Sequence, residues 1–215
     1  MNYQQKFDSG EIIEFARPTL VLASASPRRQ RLLQDAGITF IQILSDFDDT
    51  TLNDEYPHEG VSQRDEVKYA RAMALAKLQP FLGRITNGAV ITADTTALCE
   101  GRVLEKPLTK EKCREQHRFL SGKWHEIYTS YAVHYNGKTI CRVMKSRVKI
   151  DHLSDEIIET ICSEEGTLKC AGYKSAGAIN PYVHFKNDRH RANVEGLDPH
   201  FLCKLLRKVG FRTLP

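Results

Sequence analysis

No apolar run in this chain of 215 residues approaches the roughly 18 residues that span a bilayer, so a helical membrane protein is not expected. Six cysteines are scattered as Cys99, Cys113, Cys141, Cys162, Cys170 and Cys203, with no Cys-x-x-Cys pair and no Cys/His pairing at zinc-finger spacing. The eight histidines show no H-E-x-x-H or comparable metal spacing. Free thiols in a reducing cytoplasm are the expectation, although one spatially close pair stays compatible with the spacing. The net charge is only +4 and the basic residues form neither a tail nor a stripe, which argues against nucleic acid as the main partner. Internal repeats and low-complexity tracts are absent. Met1 to Arg17 lacks the apolar core and small-residue cleavage site of a secretory signal, and reads as an N-terminal extension, an added strand or arm.

What is present suits a soluble globular protein. Charged residues make up 27% and hydrophobic ones 41%, enough for one sizeable core or one elongated domain with two lobes around a central cleft. Residues 18–215 are expected to form that single domain. Strand and helix patterns alternate. A strand over Thr19 to Ala23 leads to a helix from Pro27 to Ala36 that stops at Gly37, and a strand from Thr39 to Leu44 follows. Ser45 to Gly60 reads as a long acidic loop, and Gln63 to Leu78 as an amphipathic helix carrying Lys77 near its end. Ala89 to Ala93 suits a buried strand that delivers Asp94 at its C-terminal end, with a return through Glu100-Gly101. Helices are expected from Lys110 to Leu120 after Thr109, from Ser154 to about Glu164, and from Asp198-Pro199 to just before Gly210. Between the first two, Asn136-Gly137 joins Ile127–Tyr135 to Lys138–Ile150 as a tight hairpin. The fold class is therefore α/β, a mixed and partly antiparallel sheet flanked by helices, with its ligand cleft at the strand ends.

Several segments carry chemistry. In Ala23-Ser24-Ala25-Ser26-Pro27-Arg28-Arg29, Ser26 suits a helix N-cap and Pro27 the first helical position. Helix N–H groups, the Ser24 and Ser26 hydroxyls and two guanidinium groups would then face one anion. Read alone, the segment fits a capped helix with solvated arginines equally well. Asp94, directly after an apolar strand, needs a cation, donor or metal beside it, or else caps the next turn. Asp46, Asp48 and Asp49 offer oxygen ligands for a divalent cation or form a solvated loop. Lys77 and Lys106-Pro107 supply further cations, unremarkable singly. In Cys170-Ala171-Gly172-Tyr173-Lys174-Ser175-Ala176-Gly177, small residues let backbone approach a ligand, or make a tight structural loop.

Taken in order, these segments resemble the Maf family, septum-formation-like nucleoside triphosphate pyrophosphatases. The resemblance covers nearly all of the chain after Arg17. It rests on Ala23 to Arg29 with Leu32-Leu33 and Gly37, on Asp48-Asp49 where the family usually has Asp-Glu, and on Lys77. Ala93-Asp94-Thr95, Lys106-Pro107 and Leu120-Ser121-Gly122 with His125 and Thr129 complete it. The resemblance implies a fold of the Maf and inosine triphosphatase kind and cleavage of a nucleoside triphosphate to its monophosphate and pyrophosphate. It implies Asp94 as catalytic base, and Ser24, Arg28, Arg29, Lys77, Thr95, Lys106 and Ala176 as substrate contacts. Asp48 and Asp49 become ligands of Mg2+ or Mn2+, the location cytoplasmic, and a homodimer a possible assembly. Four departures stand out: Glu105 replaces the glycine of Gly-Lys-Pro, Asp49 is shorter than the usual glutamate, Ala176 replaces a glutamine or glutamate that helps to choose the base, and Asn193-Val194-Glu195-Gly196-Leu197-Asp198 stands for the family's Asn-Val-Val-Gly-Leu-Pro. The 170–177 loop resembles the 7-methyl-GTP branch, whereas Arg28 and Thr95 resemble the branch that takes dTTP and UTP. A nucleotide-binding regulator with impaired turnover is the alternative, and a basic RNA-binding module a remoter one.

Overall fold

The computed structural model describes residues 4–6, 11–45, 47, 52, 65–170, 173, 177–187 and 191–212. Its described strands form one eight-stranded mixed sheet. In chain order they are β1 (Gln4–Lys6), β2 (Ile13–Leu22), β3 (Ile41–Leu44), β4 (Ile85–Cys99), β5 (Arg102–Val103), β6 (Trp124–Tyr135), β7 (Lys138–Ile150) and β8 (Val183–Phe185). The spatial order is β1-β3-β2-β4-β6-β7-β8, with β5 hydrogen-bonded to β4 off that path. Strands β1, β3, β2 and β4 pair in parallel, while β6, β7, β8 and β5 join antiparallel. The helices are α1 (Pro27–Asp35), α2 (Glu66–Leu78), α3 (Lys110–Leu120), α4 (Asp155–Ser163), the short α5 (Arg191–Val194) and α6 (Pro199–Val209).

Local chemistry accounts for the element ends. Side-chain oxygens of Asp65, Thr109, Ser154 and Asp198 accept from first-turn N–H groups of α2, α3, α4 and α6, and Gly210 closes α6 at a φ of 92°. Asn136 and Gly137, at φ values of 47° and 75°, make the β6–β7 turn whose twist matches the strands. Two strands are longer than their apolar runs. Strand β2 begins at Ile13, and its register against β4 shifts between Glu14 and Thr19, so that Pro18 falls in an irregular stretch where a missing N–H is tolerated. The 17/18 position thus lies inside a strand. Strand β4 runs on to Cys99 because β6 pairs with it continuously from Val90 to Leu98, which puts Asp94 in mid-strand instead of at an end.

Side chains alternate across β4 and sort the core into three parts. One face carries Ala89 and Ile91, packed with Leu22, Leu33, Tyr131 and the α6 leucines, and further along Ala97 and Cys99, packed with Leu120, Ile127, Val148, Ile150 and Ile161. Polar residues separate these two apolar clusters. The opposite face carries Val90 under Ala74 and Leu78 of α2. A small fourth cluster joins α3 to α4 through Ile158 and a Cys113–Cys162 disulfide with Cα atoms 5.9 Å apart. The expectation of six free thiols is corrected here for this pair, because helix packing brings together residues 49 apart in sequence. Cys99, Cys141, Cys170 and Cys203 are free. No helix among the described residues is long and apolar enough to cross a membrane.

Candidate active site

A gap in the pairing of β4 positions the site. On the edge that β2 shares, Ala23 N–H donates to Ile91 C=O at 2.9 Å; past the gap, Leu104 N–H donates to Ala97 C=O at 2.8 Å. Between those bonds, among the described residues, no strand pairs with this edge. The Ser24–Arg29 turn therefore approaches from one side of the gap and the Leu104–Lys106 segment from the other. Asp94 and Thr95 lie between them with side chains on opposite faces of the sheet.

On the α2 face, Lys77 Nζ lies 2.7 Å from Asp94 Oδ1, with both side chains less than one-fifth exposed. Helix α2 is locked over β4 by neighbouring bonds. Thr92 Oγ1 donates to Ala74 C=O at 2.6 Å, and Thr96 Oγ1 to Oε2 of the buried Glu66 at 2.8 Å. Lys77 is thereby held in register with the carboxylate, which meets the need for a cation beside a half-buried acid. Across the sheet on the same face, Tyr128 donates to Glu126 at 2.6 Å, and Lys145 pairs with Glu126 at 2.7 Å.

On the other face, Arg29 is held by protein acceptors. Its Nε donates to Gly196 C=O at 2.9 Å, Nη1 to Ser24 Oγ at 3.2 Å and Nη2 to Thr95 Oγ1 at 3.2 Å. Thr95 Oγ1 lies 3.2 Å from Thr129 Oγ1, which donates to Asn193 C=O at 2.8 Å. The fully buried Asn193 accepts from Tyr131 OH at 2.7 Å and donates to Ser146 Oγ at 2.8 Å, and Tyr131 OH accepts from Asp198 N–H at 2.9 Å. Burial raises the Tyr131 phenol's pKa, so it stays a neutral donor in this chain of bonds. Behind the turn, Gln42 Nε2 donates to Ser24 C=O at 2.7 Å. Ser26 occupies the N-cap of α1 as expected, yet its side chain makes no capping bond; Ser24 Oγ instead accepts from Ser26 N–H at 3.3 Å.

Arg28 differs from its neighbour. It lines a small pocket with Thr95, Thr96, Ala97, Ile127, Tyr173 and Val194, and makes no hydrogen bond or ion pair with another described residue. His125, behind that pocket, lies 3.0 Å from Tyr173 OH, and burial pushes its pKa down to about 4. Lys106 is exposed in a second cleft of about 310 Å³, shared with Arg102, Glu105, Lys112, Glu115 and Gln116. The fold thus joins Ser24, Arg29 and Thr95 in one network, pairs Lys77 with Asp94, sets Arg28 beside Thr95, and leaves Lys106 in a neighbouring cleft. Asp48, Asp49 and Ala176 lie outside the described residues. No motif in the sequence marks Gln42, Glu66 or Tyr131 as part of the site, and Thr129 and Asn193 are marked only as pieces of motifs. Of these, Thr129 and Tyr131 carried a usable signal, the alternation that puts them on the Thr95 face.

A family model described as Maf-like protein matches residues 19–209. The chain belongs to the Maf family. Maf relatives include a dTTP/UTP pyrophosphatase of Syntrophus aciditrophicus, 37% identical over 197 residues, which make up 90% of this chain and 91% of that one. Another, from Sphingopyxis alaskensis, is 35% identical over 90% of this chain and 97% of its own. A third, from Pyrococcus abyssi, also bears the name dTTP/UTP pyrophosphatase and is 30% identical over 91% of this chain and 98% of its own. The elements that frame the β4 gap, from Thr19 to Val209, fall within the Maf match.

Proposed function

We propose that this Maf protein is a nucleoside triphosphate pyrophosphatase acting on dTTP and UTP, with the triphosphate lying across the open edge of β4. The observation that carries the reading is the Asp94–Lys77 pair at 2.7 Å beside a turn rich in hydroxyls and guanidinium groups. Relatives of 30 to 37% identity named for that activity support it.

In this reading Lys77 holds Oδ1 of Asp94, and Oδ2 takes a proton from the attacking water. The water oxygen bonds to the α-phosphorus, the bond from that phosphorus to the bridging oxygen breaks, and pyrophosphate leaves. Arg28 and Lys106 are the cations that reach the phosphate oxygens, with Lys77 beside the α-phosphate. Ser24, Arg29 and Thr95 shape the turn and present its N–H groups. Asp48 and Asp49 would supply carboxylate oxygens of the kind that hold Mg2+ or Mn2+, and Asp94 would join them only in place of its role as base. Such an ion, when bound, neutralises phosphate charge. Arg28 and Thr95, which line one pocket with Tyr173 and resemble the branch that takes dTTP and UTP, are the basis for preferring a pyrimidine triphosphate to 7-methyl-GTP. The same reading takes the location as cytoplasmic and the assembly as a homodimer, and it extends the single domain to residues before 18, since β1 and the start of β2 belong to the same sheet.

A pyrophosphate-release assay over a nucleotide panel with Mg2+ or Mn2+ tests it. Release from dTTP and UTP is the expected result, and no release from any triphosphate would overturn it. Binding without turnover would instead favour an impaired nucleotide-binding regulator, a reading to which Glu105 in the Lys106 cleft lends some weight.

A further inference from the structure

Four described residues other than glycine have a positive φ: Asn87, Glu100, Leu108 and Asn136. Asparagine tolerates that region, and Glu100 belongs to the tight β4–β5 turn with Gly101. Leu108, at a φ of 61°, has neither excuse. Thr109 N–H donates to Pro107 C=O at 2.7 Å around it, which closes a γ-turn of the rare, strained positive-φ form. Packing of its own side chain does not hold Leu108 there, since it is 68% exposed.

The backbone on either side does. Leu108 N–H donates to Leu168 C=O at 3.0 Å, Thr109 caps α3 by accepting from Lys112 N–H, and Gln116 Nε2 donates to Glu105 C=O at 3.3 Å. Upstream, Leu104 N–H is bound to β4. Lys106 thus sits on a short span pinned at both ends, and its ammonium has no hydrogen-bond or ion-pair partner among the described residues. Leu168 belongs to a single 3-10 turn, Thr167–Lys169, that ends at Cys170.

We propose that Leu108 is a positioning residue: its γ-turn, bonded to Leu168, aims Lys106 into the cleft beside the open edge of β4 and ties that lysine to the Thr167–Lys169 turn. The proposal rests on Lys106 as a phosphate contact. Small misplacements of a positioned group cost large factors in rate, so a strained but defined turn is worth more here than a relaxed, variable one.

The test is a double-mutant cycle read by steady-state pyrophosphate release with dTTP and by thermal melting. Leu108→Val keeps an apolar side chain but opposes a positive φ, whereas Leu108→Asn tolerates it. For Leu108→Val, kcat should fall about tenfold, by more than KM rises; Leu108→Asn should stay within about twofold of the parent. Combined with Lys106→Ala, Leu108→Val should slow turnover no further than Lys106→Ala alone, because nothing is left to aim. An unchanged kcat for Leu108→Val, or multiplying effects in the double variant, overturns the proposal; a fall in melting temperature alone marks a merely structural turn. Should Leu108→Val not fold, Leu108→Gly, which permits the turn without enforcing it, is judged by the same two criteria. If Lys106→Ala itself leaves turnover unchanged, the reading of Lys106 is what has failed.

Discussion

The two faces of β4 at the open edge are built on opposite plans. On the α2 side, Asp94 and Lys77 form one short ion pair, and the second carboxylate oxygen has no hydrogen-bond partner among the described residues. On the other side, Arg29, Ser24, Thr95, Thr129, Asn193 and Tyr131 form a continuous run of hydrogen bonds. The contrast recurs between adjacent residues, as Arg29 is clamped and Arg28 has no partner among the described residues. A reactive group needs free valences, and the frame that aims it needs none. Function and rigidity can therefore be separated by one step along a strand, where successive side chains point to opposite faces.

The largest effect should come from the reactive face. Asp94→Asn keeps the shape and removes the proposed base, so kcat should fall by about 10²–10⁴, with an unchanged circular dichroism spectrum. Pyrophosphate release measures it, and near-normal turnover would end the assignment. The framing face should answer to acid instead. His125 is buried and neutral; with its pKa lowered to about 4, the unfolded chain binds the proton first as pH falls. Its contribution is complete above about pH 6.5 and is lost as pH drops towards 4, up to about 3 kcal/mol. Burial lowers the His117 pKa as well, and so adds to the trend. Melting temperatures from pH 7 to 4 should show the decline, and His125→Gln should flatten it.

Arg29→Ala leaves the Ser24 turn unanchored and should cost about 2–3 kcal/mol of stability, seen as a lowered midpoint in urea. Arg28→Ala should leave that midpoint unchanged and raise KM for dTTP about tenfold, roughly the value of one charge-assisted contact. If the two variants behave alike, the division of labour between the neighbouring arginines is wrong. The smallest change is expected from Ser26→Ala, within about 0.5 kcal/mol, because the Ser26 hydroxyl makes no capping bond.

Much of the fold was legible where local chemistry is strong. Helices α3, α4 and α6 begin and end where their capping residues say, and the Asn136-Gly137 hairpin was readable from two residues. Strands were read too short. The apolar run that marks β4 ends at Ala93, whereas Asp94, Thr95 and Thr96 stay in the strand because β6 pairs with them and Lys77, Arg29 and Glu66 satisfy their side chains. Ser26 and Arg29 show the same limit within the site. The type of Ser26 predicted a capping hydroxyl that the fold does not use, and the type of Arg29 gave no sign of its bonds to Gly196, Ser24 and Thr95.

By itself, the sequence determined the order of elements, the helix ends and a set of cations and carboxylates suited to a phosphorylated ligand. Those features follow from interactions within a turn or two of chain. Tertiary structure alone decided which arginine is bound and which is available, that Asp94 meets Lys77, and that Cys113 meets Cys162. Each of these depends on residues brought together from distant parts of the chain, as when Arg29 reaches Gly196 across a separation of 167 residues. Composition and spacing carry no record of such a meeting until the sheet order and helix packing create it.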